Sequence, residues 1–93
     1  MIQDFAGEQT ARIHAGEVSR RLPQAMQPVA RRKLRQLDAA TDLDFLRGPP
    51  GNRLEALKGT RAGQQSIRIN DQYRLWFIWD GEHAHAVEMI DYH

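Results

Sequence analysis

The chain has 93 residues, enough for one small hydrophobic core but too few for two domains, so residues 1–93 are expected to form a single domain. Apolar residues make up 41% and charged residues 27%, which is typical of globular rather than disordered or fibrous proteins. The net charge is +1, and there is no cysteine, which excludes disulfides, thiolate metal sites and redox chemistry at sulfur.

The charge is unevenly distributed along the chain. Residues 12–35 contain seven Lys or Arg against one acid, whereas residues 75–93 contain four acids and no Lys or Arg. Such blocks favour a polyanion or an acidic partner, although a solvated helix face has the same composition. The N-terminus lacks the apolar stretch of a signal peptide, and no segment is apolar enough for a membrane span, so a cytoplasmic protein without membrane contact is expected.

Before the Pro49-Pro50-Gly51 break, the pattern predicts helices. The segment PQAMQPVARRKLRQLDAA predicts an amphipathic helix with a basic outer face. Its core side is formed by Ala30, Leu34 and Leu37, and its basic side by Arg31, Arg32 and Arg35. In ATDLDFL, Thr41 is the expected N-cap of a short additional helix.

After the break, the apolar period changes to two, which predicts antiparallel strands. The strand segments are QSIRIND, QYRLWFIW and HAHAVEMID, and the Asp80-Gly81 turn precedes the last one. NRLEALKG is expected to supply an earlier strand, and MIQDF is a candidate for a further one at the N-terminus. The expected fold is α+β, with N-terminal helices packed on one face of an antiparallel sheet whose other face is open.

Alternation predicts which side chains occupy that open face. If Tyr73, Leu75 and Phe77 are buried, Arg74 points away from the core, and Arg68 on the neighbouring strand shares its side. Trp76 then lies between basic positions as a stacking surface for RNA bases. An ordinary solvated sheet surface has the same pattern, so periodicity alone leaves both interpretations open.

The chain closes with a carboxylate, a phenol and an imidazole at the end of a strand, namely Asp91, Tyr92 and His93. The preceding strand carries Arg74, so an anion held there would lie near groups that transfer protons at neutral pH. Strict alternation separates Tyr92 from the other two unless the strand end twists or bulges. His83, His85 and His93 are an alternative metal site, but without cysteine or a placed acidic ligand no metal or other cofactor is predicted.

Two long segments, NRLEALKGTRAGQQSIRINDQYRLWFIW and VEMIDYH, resemble the HigB-type toxins of the RelE superfamily, including the HigB-like GraT group. The likeness extends from the MI.F opening to the DYH end and so covers essentially the whole chain. It implies a compact RelE-like domain, with helices packed against a curved antiparallel sheet. This agrees with the α+β fold expected from periodicity.

The resemblance also implies the toxin of a type II toxin-antitoxin system, one that enters the ribosomal A site and cleaves mRNA there. The implied partners are a HigA-type helix-turn-helix antitoxin, the ribosome and mRNA, with operator DNA contacted only through the antitoxin. The positions linked to cleavage in such toxins are here Lys58, Arg74, Asp91, Tyr92 and His93. The chain departs from some relatives at Glu55, where they carry His, so either Glu55 moves a proton or Asp91 and His93 do.

A role follows for each candidate if the 2′-hydroxyl of the RNA attacks the adjacent phosphate. Arg74 and Lys58 are expected to neutralise phosphate charge, and His93, oriented by Asp91, to transfer protons. The residues expected to bind substrate are Tyr92, Arg68, Glu55 and Trp76. Those expected to dock on ribosomal RNA are Arg31, Arg32, Lys33 and Arg35. The alternative is a non-catalytic module that holds RNA or an antitoxin on the same basic sheet face.

Overall fold

The computed structural model describes residues 1–49, 51–61 and 63–91. Helix α1 is Glu8–His14 and helix α2 is Gln27–Ala39, and short 3-10 helices occupy Gln24–Met26, Leu43–Arg47 and Gly59–Arg61. Strand β1 is Glu55–Ala56, β2 is Gln64–Arg68, β3 is Tyr73–Trp79 and β4 is Ala84–Asp91. This order confirms the predicted α+β fold, and no helix in the described part of the chain is long and apolar enough to cross a membrane.

The sheet is an antiparallel meander in the strand order β1-β2-β3-β4. The predicted N-terminal strand is reduced to isolated parallel bridges from Ile2 to Ala84 and from Phe5 to Val87. A bulge interrupts the β3–β4 pairing near Ala86, whose φ is +51°. Both Ala84 and Val87 are fully buried although they are three positions apart, because the bulge adds one residue between them.

The core lies between α2 and one face of the sheet. Ala30, Leu34 and Leu37 are fully buried, which confirms the predicted apolar stripe of α2. They belong to one cluster with the inner residues of the sheet, which include Ile67, Leu75, Phe77 and Val87. Complete burial of a leucine side chain contributes about 1.5–3 kcal/mol, so this stripe fixes α2 against the sheet.

The short helix after α2 begins differently from the prediction. Asp42, not Thr41, is the N-cap, and its carboxylate accepts a hydrogen bond from the Phe45 backbone N–H at 2.9 Å. Both residue types can cap a helix, and Asp42 has the extended backbone of an N-cap together with the capping hydrogen bond. The segment Leu43–Arg47 forms a 3-10 helix.

The basic side of α2 is narrower than predicted. Lys33 is only 6% exposed and its amine donates to Asn52 Oδ1, so it is not part of the exposed surface of α2. Lys33 flanks the apolar stripe, and its long stem reaches inward. Arg31 donates to the backbone oxygens of Ile13 at 3.0 Å and Glu17 at 3.1 Å, so it helps to cap the end of α1. The exposed members of the set are Arg32 and Arg35.

Candidate functional site

The cross-strand register defines the open face, which is the side of the sheet away from α2. Directly opposed residues of antiparallel strands project to the same side. One row of this face therefore contains Glu55, Ser66, Trp76 and Glu88, and the next contains Arg68, Arg74 and Ile90. The predicted alternation, with Arg74 and Trp76 opposite the inner row of β3, is confirmed.

Arg74 lies on the open face, as predicted, but its side chain is buried there. Its side chain is 6% exposed, and Nε donates to the hydroxyl of the fully buried Ser66 at 3.0 Å. Nη2 donates to the Arg53 carbonyl oxygen at 2.6 Å and, at a longer 3.5 Å, to the Ser66 carbonyl. The guanidinium is covered because the chain corner at Asn52 and Arg53 lies against this end of the face. The guanidinium is consequently a fixed positive charge at the floor of the site.

Arg68 is directly opposite Arg74, but its partner is different. Its Nη2 forms an ion pair with Asp71 in the β2–β3 turn, and its side chain is 29% exposed. Trp76 is half-buried in the neighbouring row, and Ile78 beyond it is 40% exposed. The open face thus carries a buried cation at one end and apolar surface along β3.

The remaining candidates are divided between two sides of the sheet. Glu55 is exposed on β1 opposite Ser66, and Lys58 is exposed in the loop that follows β1. Asp91 is paired with Tyr73, so the register puts it on the inner side, where it accepts from Gln72 Nε2 at 3.2 Å. Tyr92 and His93 lie outside the described residues. Among the described candidates, the structure groups Glu55, Arg68, Arg74 and Trp76 on one face.

One of the histidines considered as a metal ligand, His85, has two carboxylate partners. His85 Nε2 lies 2.6 Å from Asp80 Oδ2, and His85 Nδ1 lies 3.4 Å from Asp4 Oδ2. The hydrogen bond to Asp80 raises the pKa of His85, while backbone N–H groups, that of His83 foremost, lower the pKa of Asp80. Within residues 1–49, 51–61 and 63–91, no group of three or more His, Cys, Asp or Glu side chains is arranged to hold a metal ion.

Sequence reasoning missed three residues that contact or support Arg74. Ser66 was readable, because it lies two positions before Arg68 on the same face and diagonal to Arg74. The roles of Arg53 and Asn52 could not be read from the sequence. They depend on the direction of the Arg53 backbone carbonyl and on the left-handed φ of +46° at Arg53. A polar residue inside a strand next to a buried arginine is the pattern that identifies such a hydrogen-bond acceptor.

Comparisons with known proteins agree with this fold. A family model described as RelE-like toxin of type II toxin-antitoxin system HigB matches residues 3–93. Toxin HigB-1 of Vibrio cholerae serotype O1 is 50% identical over 60 residues, or 64% of this chain and 63% of that protein. An uncharacterized protein of Haemophilus influenzae is 35% identical over 65 residues, or 70% of this chain and 64% of that protein. The chain thus spans a little under two thirds of these curated relatives.

The helices packed on a four-stranded antiparallel meander define a compact α+β domain of the RelE-like kind. With the family match over residues 3–93, the chain belongs to the HigB-like family of toxins from type II toxin-antitoxin systems.

Proposed function

We propose that this chain is a ribosome-dependent endoribonuclease that cleaves mRNA in the ribosomal A site and thereby inhibits translation. The observation that carries this proposal is the Arg74 guanidinium, held by Ser66 and the Arg53 carbonyl on the open face of a HigB-like domain. A positive charge that is already oriented before substrate arrives is what a phosphoryl transfer site requires.

The reaction uses the RNA itself as nucleophile. The 2′-hydroxyl loses its proton and attacks the adjacent phosphorus, the bond to the 5′-oxygen breaks, and that oxygen takes up a proton. The products are a 2′,3′-cyclic phosphate and a 5′-hydroxyl. The protein aligns the attacking oxygen, neutralises charge on the phosphoryl oxygens and assists proton movement.

Arg74 supplies fixed charge beneath the phosphate, and Lys58 adds a mobile point charge from the loop after β1. Trp76 stacks on a base, an interaction that contributes about 1–3 kcal/mol in single-stranded nucleic-acid sites. Glu55 and Arg68 contact the substrate on either side of the Ser66 row. The grouping of Glu55, Arg68, Arg74 and Trp76 on one face supports this division of roles.

The end of the chain supplies proton transfer in this proposal. His93 is the proton-transfer residue, Tyr92 contacts a base, and Asp91 orients His93. The support for these roles is the DYH signature of the family resemblance. Because the register puts Asp91 on the inner side of the sheet, an orienting role fits it better than direct contact with the phosphate.

The ribosome and an antitoxin are the proposed partners in the cytoplasm. Arg32 and Arg35 are exposed on α2 and dock on ribosomal RNA, whose phosphates attract guanidinium groups. A HigA-type helix-turn-helix antitoxin holds the toxin inactive, and operator DNA is contacted through that antitoxin.

Primer extension on ribosome-bound mRNA tests the proposal. The purified chain should generate new 5′ ends within the A-site codon, and the same mRNA without ribosomes should yield far fewer. Binding to the ribosome or to RNA without new ends would contradict the proposal and would favour a non-catalytic binding module on the same face.

The nucleophile has its own test. A ribosome-bound mRNA with a single 2′-deoxynucleotide on the 5′ side of the mapped cleavage bond should not be cleaved there, because the attacking oxygen is missing. Wild-type cleavage at that bond would show that another nucleophile acts.

A further inference from the structure

The chain corner before β1 is fixed by a single buried asparagine. Asn52 is fully buried, and its Oδ1 accepts from the Lys33 amine. Its Nδ2 donates to Gln36 Oε1 and to the Leu46 carbonyl, both at 3.1 Å. Its own carbonyl accepts from the Arg68 N–H at 2.6 Å. Asn52 therefore joins α2, the helix Leu43–Arg47 and β2 at one point.

The residue after Asn52 touches the candidate site. Arg53 has a φ of +46°, a left-handed conformation that non-glycine residues adopt only when their surroundings hold them there. In this conformation the Arg53 carbonyl accepts from Arg74 Nη2 at 2.6 Å. The position of the Arg53 carbonyl oxygen depends on the preceding residue, Asn52, which is held in place by its buried hydrogen bonds.

Helix α2 supplies the anchor. Lys33 and Gln36 are three positions apart, so they lie on the same side of the helix, and both contact Asn52. A buried ammonium group requires a hydrogen-bond acceptor, and Asn52 Oδ1 provides one. Burial, followed by the charges of Arg32 and Arg68, lowers the pKa of Lys33. Such a group serves as an internal hydrogen-bond donor rather than as a contact for an external phosphate.

We infer that Asn52, held by Lys33 and Gln36, is a positioning residue that orients the Arg74 guanidinium through the Arg53 carbonyl. The inference rests on the proposed function, since it assigns these residues to the support of the same site. Lys33 thereby receives an internal role in place of ribosome docking. Asn52 itself touches neither RNA nor the phosphate.

The test uses Asn52→Asp, with Asn70→Asp as the matched control. An aspartate at position 52 still accepts from Lys33 but loses the donations to Gln36 and Leu46. Among the residues that the structure describes, Asn70 bonds through its Oδ1, which accepts from the Gln72 and Tyr73 N–H groups at 2.9 and 2.8 Å, and aspartate preserves both bonds. The two variants therefore change net charge equally, and only one disturbs the corner.

The first readout is nuclear magnetic resonance of the arginine side chains in the free protein. Wild type and Asn70→Asp should show an Arg74 guanidinium with restricted rotation, and Asn52→Asp should show faster rotation. Equal rotation in all three proteins would overturn the inference. This readout needs neither ribosome nor RNA.

The second readout is cleavage of ribosome-bound mRNA. Asn52→Asp should lower kcat about 10- to 100-fold and leave KM near the wild-type value, because misplacement of a catalytic group by about 1 Å lowers the rate up to about 100-fold. A wild-type kcat for Asn52→Asp would overturn the inference while the proposed function stands. If wild type itself does not cleave, the proposed function fails, and the rotation of Arg74 alone decides the positioning role.

Should Asn52→Asp fail to unfold cooperatively like the wild type, Gln36→Met is used in its place. Gln36 is half-buried, and its replacement by methionine removes one of the two acceptors of Asn52 Nδ2. The Leu46 carbonyl remains as the other acceptor. It should also accelerate Arg74 rotation and lower kcat, to a smaller extent. No change in either quantity would overturn the inference.

Discussion

Arg68 and Arg74 are directly opposed on β2 and β3, yet their guanidinium groups have different partners. Arg68 pairs with Asp71 at the turn, whereas Arg74 donates to Ser66 and to the Arg53 carbonyl. Like charges directly opposite each other destabilise a sheet, and these separate partners offset that repulsion. The pair thus contains one solvent-facing arginine and one internal arginine at the same level of the sheet.

This difference predicts unequal costs of truncation. Arg74→Ala should lower the free energy of unfolding by about 1.5–3 kcal/mol, because a hydrogen bond to a charged group is lost and buried acceptors remain. Arg68→Ala should lower it by about 1 kcal/mol or less, as for other partly exposed ion pairs. Urea denaturation measures both values. Equal losses would contradict the internal role of Arg74.

The exposed part of α2 should govern ribosome binding. The double variant Arg32→Gln/Arg35→Gln should bind ribosomes more weakly. The plot of log affinity against log salt concentration should also become shallower by about 1–2, since each lost phosphate contact reduces the steepness of the slope by about 0.7–0.9. Cleavage at saturating toxin should persist, because both residues lie away from the open face.

The matched control for this prediction is Arg12→Gln/Arg47→Gln. These arginines are also exposed, and they pair with Glu8, Glu17 and Asp44. The control removes the same charge and should bind ribosomes as the wild type does. Equal weakening by both double variants would indicate a general charge effect and would remove the docking role of α2.

The Asp80–His85 pair should make stability depend on pH. His85 has a raised pKa, so its contribution is complete below the ordinary value of 6.5 and is lost as pH rises through the folded-state pKa. Asp80 has a lowered pKa, so its contribution is present above the ordinary value of 3.8 and is lost as pH falls through the folded-state value. Both contributions to stability are therefore present between pH 3.8 and pH 6.5.

Urea denaturation from about pH 5 to about pH 9 tests this dependence. The free energy of unfolding should decrease as pH rises through the folded-state pKa of His85, and His85→Gln should abolish that decrease. His83→Gln is the control, because His83 lies on the same turn and its Nε2 is 3.7 Å from a Glu82 carboxylate oxygen, against 2.6 Å between His85 Nε2 and Asp80. A decrease that persists in His85→Gln would assign it to another group.

The bulge residue of β4 should accept glycine without loss. Ala86 has a φ of +51°, and its N–H donates to Asp4 Oδ1 at 2.6 Å. Glycine relieves a left-handed strain of about 1–2 kcal/mol and adds an entropic cost of about 0.5–1 kcal/mol. Ala86→Gly should therefore leave the free energy of unfolding unchanged or raise it by up to about 1.5 kcal/mol.

Ala11→Gly in α1 is the matched substitution for this prediction. It lies in regular helix and should lose about 1 kcal/mol. The difference in unfolding free energy between the two variants isolates the backbone conformation. An equal loss of unfolding free energy in Ala86→Gly and Ala11→Gly would contradict the claim that the backbone of Ala86 is strained.

Helix α2 and the two faces of β3 were predictable because they depend on period, whereas helix α1 and the register of the sheet were not predicted. Residues 73–79 alternate, so the inner row and the open face follow from the strand alone. The stripe of Ala30, Leu34 and Leu37 follows from the helical period in the same way. The bulge is also visible in the sequence pattern, since the buried apolar residues Ala84 and Val87 are three positions apart and so break the alternation of β4.

The burial of Arg74 and Lys33 was not predictable by that route. Each is charged, and its burial depends on acceptors brought in by the corner at Asn52 and Arg53. The direction of a carbonyl at a left-handed residue has no period in the sequence. Charge patterns therefore predicted candidate residues for the site, while the backbone determined the exposure of Arg74 and Lys33.

The most direct measurement is the single-turnover rate of cleavage of ribosome-bound mRNA by Arg74→Gln, with Arg47→Gln as the control for lost charge. Loss of a group that stabilises the transition-state phosphate should lower the rate about 100- to 1000-fold in Arg74→Gln, while Arg47→Gln should cleave at the wild-type rate. Cleavage by folded Arg74→Gln at the wild-type rate would contradict the assignment of this guanidinium to the reaction.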